Sequence, residues 1–148
     1  MKQYGISEGD TLVQAGYFYP FPGKDRIQPL VRQGILAMLP DEKLPTTMGK
    51  DGNLYLADMH VLGGNSGSPV FVNLAGIRRG RFYAGVNVRL LGVVSGYFFE
   101  DQDLRLRITT IVEGKAKANS GISAIVPVDE LLNLLNKEEL RVLRETRR

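Results

Sequence analysis

A serine ringed by glycines is the feature of this sequence best suited to chemistry. It lies in Leu62-Gly63-Gly64-Asn65-Ser66-Gly67-Ser68-Pro69-Val70-Phe71. Glycine lets a backbone take positive φ and lets another chain approach closely. A hydroxyl on such a turn, with backbone N–H groups around it, suits acyl transfer: the oxygen attacks a carbonyl and the N–H groups hold the negative charge that develops. The N–H groups of Gly64 and Ser66 are expected to point into one small space as an oxyanion hole. Val70-Phe71-Val72 reads as the strand that anchors the turn. The same Gly, Asn and Ser composition also makes ordinary surface turns. A phosphate-binding loop is excluded because no Gly-Lys-Ser/Thr follows. The Gly-x-Ser-x-Gly elbow of α/β-hydrolases is excluded because Ser68 holds the last position and a strand, not a helix, follows.

A hydroxyl nucleophile needs a base, and a Ser-His-Asp arrangement needs a carboxylate behind it. The chain has one histidine, His60, six residues before Ser66. Lysine as the base, from Lys43 or Lys50, is not favoured by spacing. With no cysteine, disulfides, thiolate zinc sites and cysteine nucleophiles are excluded. No metal or other cofactor is implied. A net charge of +3 does not by itself argue for nucleic-acid binding. No apolar run approaches membrane-spanning length, and Met1–Ile6 lacks the apolar core of a signal peptide, so no membrane partner and no compartment are assigned.

The 148 residues suffice for one domain with a real core, and 17 glycines and seven prolines suit a turn-rich β protein. Strands are expected over Thr11–Tyr19, Leu30–Leu39, Asn53–Met59, Pro69–Asn73, Arg105–Ile111 and Gly121–Val126. Phe82–Leu90 and Leu91–Phe99 are expected to pair with each other. Pro40–Gly52 reads as loop, Ala75–Arg81 as a basic hairpin tip, Glu100–Asp103 as an acidic turn and Glu113–Asn119 as a polar loop. Asp129 suits a helix N-cap. Leu131, Leu132, Leu135, Leu140 and Leu143 then form a stripe that a helix would dock on the body of the fold.

Gly64–Pro69 resembles the nucleophile loop of the trypsin-like (chymotrypsin-fold) serine peptidases, in particular their HtrA-like and glutamyl-endopeptidase-like branches, which carry Asn before the serine. Asp58–Gly63 is similar to the run leading into that loop, although Met59 and His60 replace small residues. Leu91–Tyr97 resembles the strand lining the substrate channel, and Ser120–Asp129 the family's last strand-to-helix junction. Three motifs in the family's order are more specific than any one. The resemblance implies an all-β fold: a six-stranded antiparallel Greek-key β-barrel of the chymotrypsin type with a C-terminal α-helix. The chain would be a single domain, 1–148, with the serine-bearing barrel over 8–127 and the helix over 128–147.

The resemblance also assigns roles. Ser66 becomes the nucleophile and Gly64 an oxyanion-hole donor, with Asn65 and Gly67 supporting the loop. Asn65, being neutral, removes the need for a newly cut N-terminus as its partner. Substrate would contact His60, Leu62, Gly63, Val94, Ser95, Gly96, Tyr97 and Ile122. Ser95-Gly96-Tyr97 would pair with the substrate backbone as an added strand. Glutamyl-specific relatives place a histidine where this chain has Val94. Val94, Tyr97 and Ile122 would instead line a pocket for a small or medium apolar side chain. His60 would line that pocket or pack rather than serve as base. In the family the base and acid come from a preceding barrel, for which about 60 residues are too few. The expected function is therefore serine endopeptidase action on a peptide or protein substrate, completed by an N-terminal barrel carrying His and Asp and absent from this chain. Alone, the 148 residues would have no appreciable activity. The alternative is a non-catalytic peptidase-like module that binds peptides or proteins. Nucleic-acid binding through Arg78, Arg79, Arg81 and the basic tail is weaker still, since basic turns are usually solvated faces.

Overall fold

Alternation builds the first strand: in β1 (Thr11–Gly16) Leu12, Gln14 and Gly16 are buried and the residues between them only partly so. The same period of two runs through β6 (Pro69–Asn73), where Val70 and Val72 point inward. With β2 (Leu30–Met38), β5 (Tyr55–Asp58), β9 (Val88–Arg107) and β10 (Ile111–Pro127), these strands close an antiparallel barrel in the order β1–β2–β5–β10–β9–β6. Two short hairpins sit outside it: β3 (Leu44–Pro45) with β4 (Asp51–Gly52), and β7 (Gly76–Arg78) with β8 (Arg81–Tyr83). Leu12, Leu36, Ala57, Val70, Val72, Leu91, Val94 and Ile125 fill the interior. The computed structural model describes residues 4–21, 23–46, 49–78, 80–85, 87–107 and 111–146, with backbone alone for 104–107 and 111–114.

The all-β, six-stranded barrel expected from the sequence is the fold observed, and its strand order is compatible with a chymotrypsin-like barrel. That order has a consequence for the site. The third and fourth barrel strands, β5 and β6, are not neighbours, so the chain between them must cross one end of the barrel.

The largest departure from expectation lies in β9 and β10, which form one long hairpin. Glu100–Asp103 lies within β9 and is not a turn; Glu113–Asn119 lies within β10 and is not a loop. In the ladder Lys115 stands opposite Asp103 and Lys117 opposite Asp101. Opposed charges of this kind stabilise strand pairs while reading as loop composition. The expected pairing of Phe82–Leu90 with Leu91–Phe99 is also not formed: β8 pairs with β7, while β9 runs unbroken from Val88 through that second segment. Part of the expected Arg105–Ile111 strand, residues 108–110, lies outside the described residues.

The C-terminal region is helical, as two segments: α1 (Val128–Leu135) and α2 (Glu138–Glu145). Pro127 is the N-cap, and Asp129 sits with Glu130 in the first turn, where carboxylates complement the helix dipole. α1 lies against β9 and β10. The helix breaks at Asn136–Lys137; no residue of either segment is fully buried, and Leu132, Leu135 and Leu143 are exposed.

Gln14 is the anomaly in the core. It is fully buried, and neither polar atom of its side-chain amide has a hydrogen-bond partner among the described residues. An unpaired buried amide costs its desolvation. Gln14→Met, close in volume, is therefore expected to raise stability by about 1–2 kcal/mol, read from the denaturant midpoint. A loss of stability would mean that the amide has a partner, such as a buried water.

Candidate active site

The crossing segment, Met59–Ser68, is laid over the ends of β10 and β9. Alternation continues past β5: Ala57, Met59 and Val61 are buried, so His60 between them faces outward and is exposed. The Met59 N–H donates to Gly121 O at 3.1 Å, and Asn119 Nδ2 donates to Val61 O at 2.7 Å. Ser123, itself buried, donates its hydroxyl to Met59 O. At the far end the Gly67 N–H donates to Val94 O at 2.7 Å, and the Val94 N–H to Ser68 O at 2.9 Å. The loop is thus stapled to both strands it spans.

Asn65 holds the middle. It is buried; its Oδ1 accepts the Leu62 N–H at 3.0 Å and its Nδ2 donates to Tyr17 O at 2.6 Å. The Asn65 N–H reaches Leu62 O and the Ser68 N–H reaches Asn65 O, which closes two tight turns. Gly64 and Gly67 take φ of 91° and 85°, values that favour glycine. The N–H groups of Leu62, Asn65, Gly67 and Ser68 are all engaged. Those of Gly63, Gly64 and Ser66 have no acceptor among the described residues, and all three residues are exposed. The loop therefore presents free backbone donors beside its serine, the raw material for holding a carbonyl oxygen as it becomes negative.

Ser66 is exposed and donates its Oγ–H to Ser95 O at 3.1 Å. Ser95 is itself unusual: the β9–β10 ladder passes from Gly96↔Ala124 to Val94↔Ile125, leaving Ser95 as an extra residue. The pairing of β6 with β9 stops at Pro69↔Val93. From Ser95 to Phe99, β9 therefore has β10 on one side and, among the described residues, no strand on the other. An open strand edge begins at the carbonyl that holds the serine hydroxyl. Tyr97 lies on it, half-buried, its ring 5.0 Å from that of Phe99.

The structure thus brings Gly63, Gly64, Asn65, Ser66 and Gly67 together with Val94 and Ser95, as the sequence implied, and places Gly96 and Tyr97 on the adjoining edge. His60 is exposed rather than packed and makes no hydrogen bond to Ser66. Val94 does not offer its side chain to a substrate pocket, because it is buried in the core; its contribution is its backbone. Among the described residues, one cavity lies at the end of the barrel away from Ser66 and another in the 21–28 segment, and neither is lined by Val94, Tyr97 or Ile122. The braces Asn119 and Ser123 were missed in the sequence, the first because it fell in an apparent loop. Comparison with protein-family models, curated proteins and solved structures returned no match to this chain.

Proposed function

We propose that the Ser66 loop is the nucleophile half of a trypsin-like endopeptidase site, whose base and carboxylate come from outside these 148 residues. The observation that carries the proposal is the loop itself: a buried asparagine fixes it while the Gly63, Gly64 and Ser66 N–H groups stay free beside the hydroxyl. Transfer of the Ser66 proton to an incoming base would free Oγ from Ser95 O for attack on a peptide carbonyl, and the free amides would take the oxyanion. The β9 edge from Ser95 to Tyr97 would hold the peptide as an added strand.

The test is labelling of the parent polypeptide by a fluorophosphonate probe. Labelling is expected, and Ser66→Ala is expected to abolish it and to cut peptide hydrolysis roughly a million-fold. Equal labelling of the variant would overturn the assignment. A second reading, a peptide-binding module without catalysis, is favoured by the parking of the Ser66 hydroxyl on a backbone carbonyl. It requires peptide binding by the isolated chain that survives Ser66→Ala, falls in Tyr97→Asp, and leaves no acyl-enzyme in any form of the protein.

A further inference from the structure

The strand that ends beneath the serine loop carries a glycine whose reason is space. Gly16, the last residue of β1, is buried and has no positive φ. A β-carbon built on it would overlap Gln14 Nε2, and would stand 3.0 Å from Ser68 Oγ and 3.2 Å from Asn65 Nδ2. The loop glycines differ: at Gly63, Gly64 and Gly67 a β-carbon would meet nothing within 4 Å. Gly16 is therefore a glycine that close approach requires, and what approaches is the Gln14 amide with the underside of the loop around it.

Alternation brings the amide there. Leu12, Gln14 and Gly16 share the inner face of β1, and with no side chain at Gly16 the Gln14 chain lies over it. β1 pairs with β6 only as far as Gln14↔Val70, so its last residues meet the exit of the loop at Ser68 rather than a strand. The next residue, Tyr17, offers the carbonyl that accepts Asn65 Nδ2. Asn65 thus meets the end of β1 at two places, the Tyr17 carbonyl and the space over Gly16. The Gln14 amide is fully buried, with neither polar atom paired among the described residues. An unpaired amide costs stability, so what Gln14 gives the loop is its volume.

We propose that Gln14 and Gly16 are positioning residues for Ser66: the glycine leaves the space, the Gln14 side chain fills it, and the fit sets the depth of Asn65 and Ser68. The Gly64 and Ser66 N–H groups, which lie between and beside those two residues, move with them. Too little volume at position 14 lets the loop sink, and any side chain at position 16 lifts it. The proposal rests on the reading of Ser66 as a nucleophile, since small displacements of the loop matter most where atoms react.

Two readouts keep the fit apart from the chemistry. In the 148-residue chain, the backbone amide shifts of Gly64 and Ser66 and the side-chain amide shift of Asn65 report where the loop sits. In the parent polypeptide, the rate of fluorophosphonate labelling reports what it does. Gly16→Ala and Gln14→Ala are each expected to move all three signals and to slow labelling, by up to about a hundredfold. Gln14→Met is expected to return both readouts toward wild type, because methionine restores the volume. Leu12→Ala, a core truncation on the same strand, is expected to lower the thermal midpoint and leave the three signals in place. If Gly16→Ala does not fold, the Gln14 pair decides. Unmoved signals in Gln14→Ala, a Gln14→Met variant no nearer wild type than Gln14→Ala, or equal movement in Leu12→Ala would overturn the positioning role. Moved signals together with labelling that survives Ser66→Ala would uphold the fit and overturn the nucleophile alone.

Discussion

Asp10→Ala is expected to cost about 3 kcal/mol and to lower the thermal midpoint by about 10 °C. The reason is burial. The side chains of Arg78 and Asp10 are only 12% and 11% exposed. Arg78 Nη1 and Nη2 each donate to one carboxylate oxygen, at 2.8 and 2.7 Å. Nη1 also donates to Gly5 O and Nη2 to Asn73 O. Asp10 in turn accepts the Ser7 N–H at 3.0 Å. An exposed pair would contribute about 1 kcal/mol or less; here the loss of the carboxylate leaves a nearly buried guanidinium without a counter-charge. Replacing both partners, Asp10→Leu with Arg78→Met, is expected to be less destabilising than Asp10→Ala alone, because no buried charge is then left unpaired. A single-variant cost below about 1 kcal/mol would show that the pair behaves as a surface pair. The pair also changes what the basic hairpin means. Arg78 ties β7 to the turn before β1 and is committed to that contact rather than to a phosphate. Arg79 lies outside the described residues, and Arg81 remains exposed.

The barrel was legible because its strands bury one face at a time. Leu12, Val70 and Val72 fall at alternate positions, and Pro69–Asn73 begins and ends where turn residues predict. The β9–β10 ribbon was not legible for the converse reason. Past Phe99 its described residues are exposed except Ala118, which is half-buried, so little selects apolar residues, and Glu100–Asp103 opposite Lys115 and Lys117 looks like two loops. Only pairing reveals that the charges face one another. Gln14 was invisible in another way: alternation places it inward, but its polarity gives no hint that it stays there without a partner. In the helical region the leucine stripe was visible, but not that the helix breaks at Asn136–Lys137 or that Leu132, Leu135 and Leu143 stay exposed while α1 lies against β9 and β10.

The serine loop was legible because its backbone demands particular residues. Gly64 and Gly67 supply positive φ, and Asn65 supplies one acceptor and one donor in the space of a single side chain. The environment of His60 was readable too, had strand alternation been carried past Asp58: Met59 and Val61 fill the inside positions and leave the histidine outside. The role of Val94 could not be read, because backbone hydrogen bonds to Gly67 and Ser68 place no constraint on its side chain.

The same two-sided demand makes Asn65→Asp the most informative change at the site. Leu62 N–H requires an acceptor and Tyr17 O requires a donor, so the amide orientation is fixed by its partners. A carboxylate keeps the first bond and sets a negative oxygen against the Tyr17 carbonyl, in a position closed to water. At neutral pH the variant is expected to lose about 3 kcal/mol relative to wild type. Burial and the facing carbonyl both raise the pKa of the new acid in the folded state. With a raised folded pKa, the variant is nearest wild type below the unfolded aspartate value of about 4 and falls away as pH rises through it. The protonated acid can donate to Tyr17 O, which restores both bonds. Denaturation of the two proteins at pH 4 and pH 7 reads this directly: the gap between them is expected to narrow at the lower pH. A gap independent of pH would mean that the loop is not held through Tyr17, and the free amides of Gly63, Gly64 and Ser66 would then lose the brace that keeps them beside the hydroxyl.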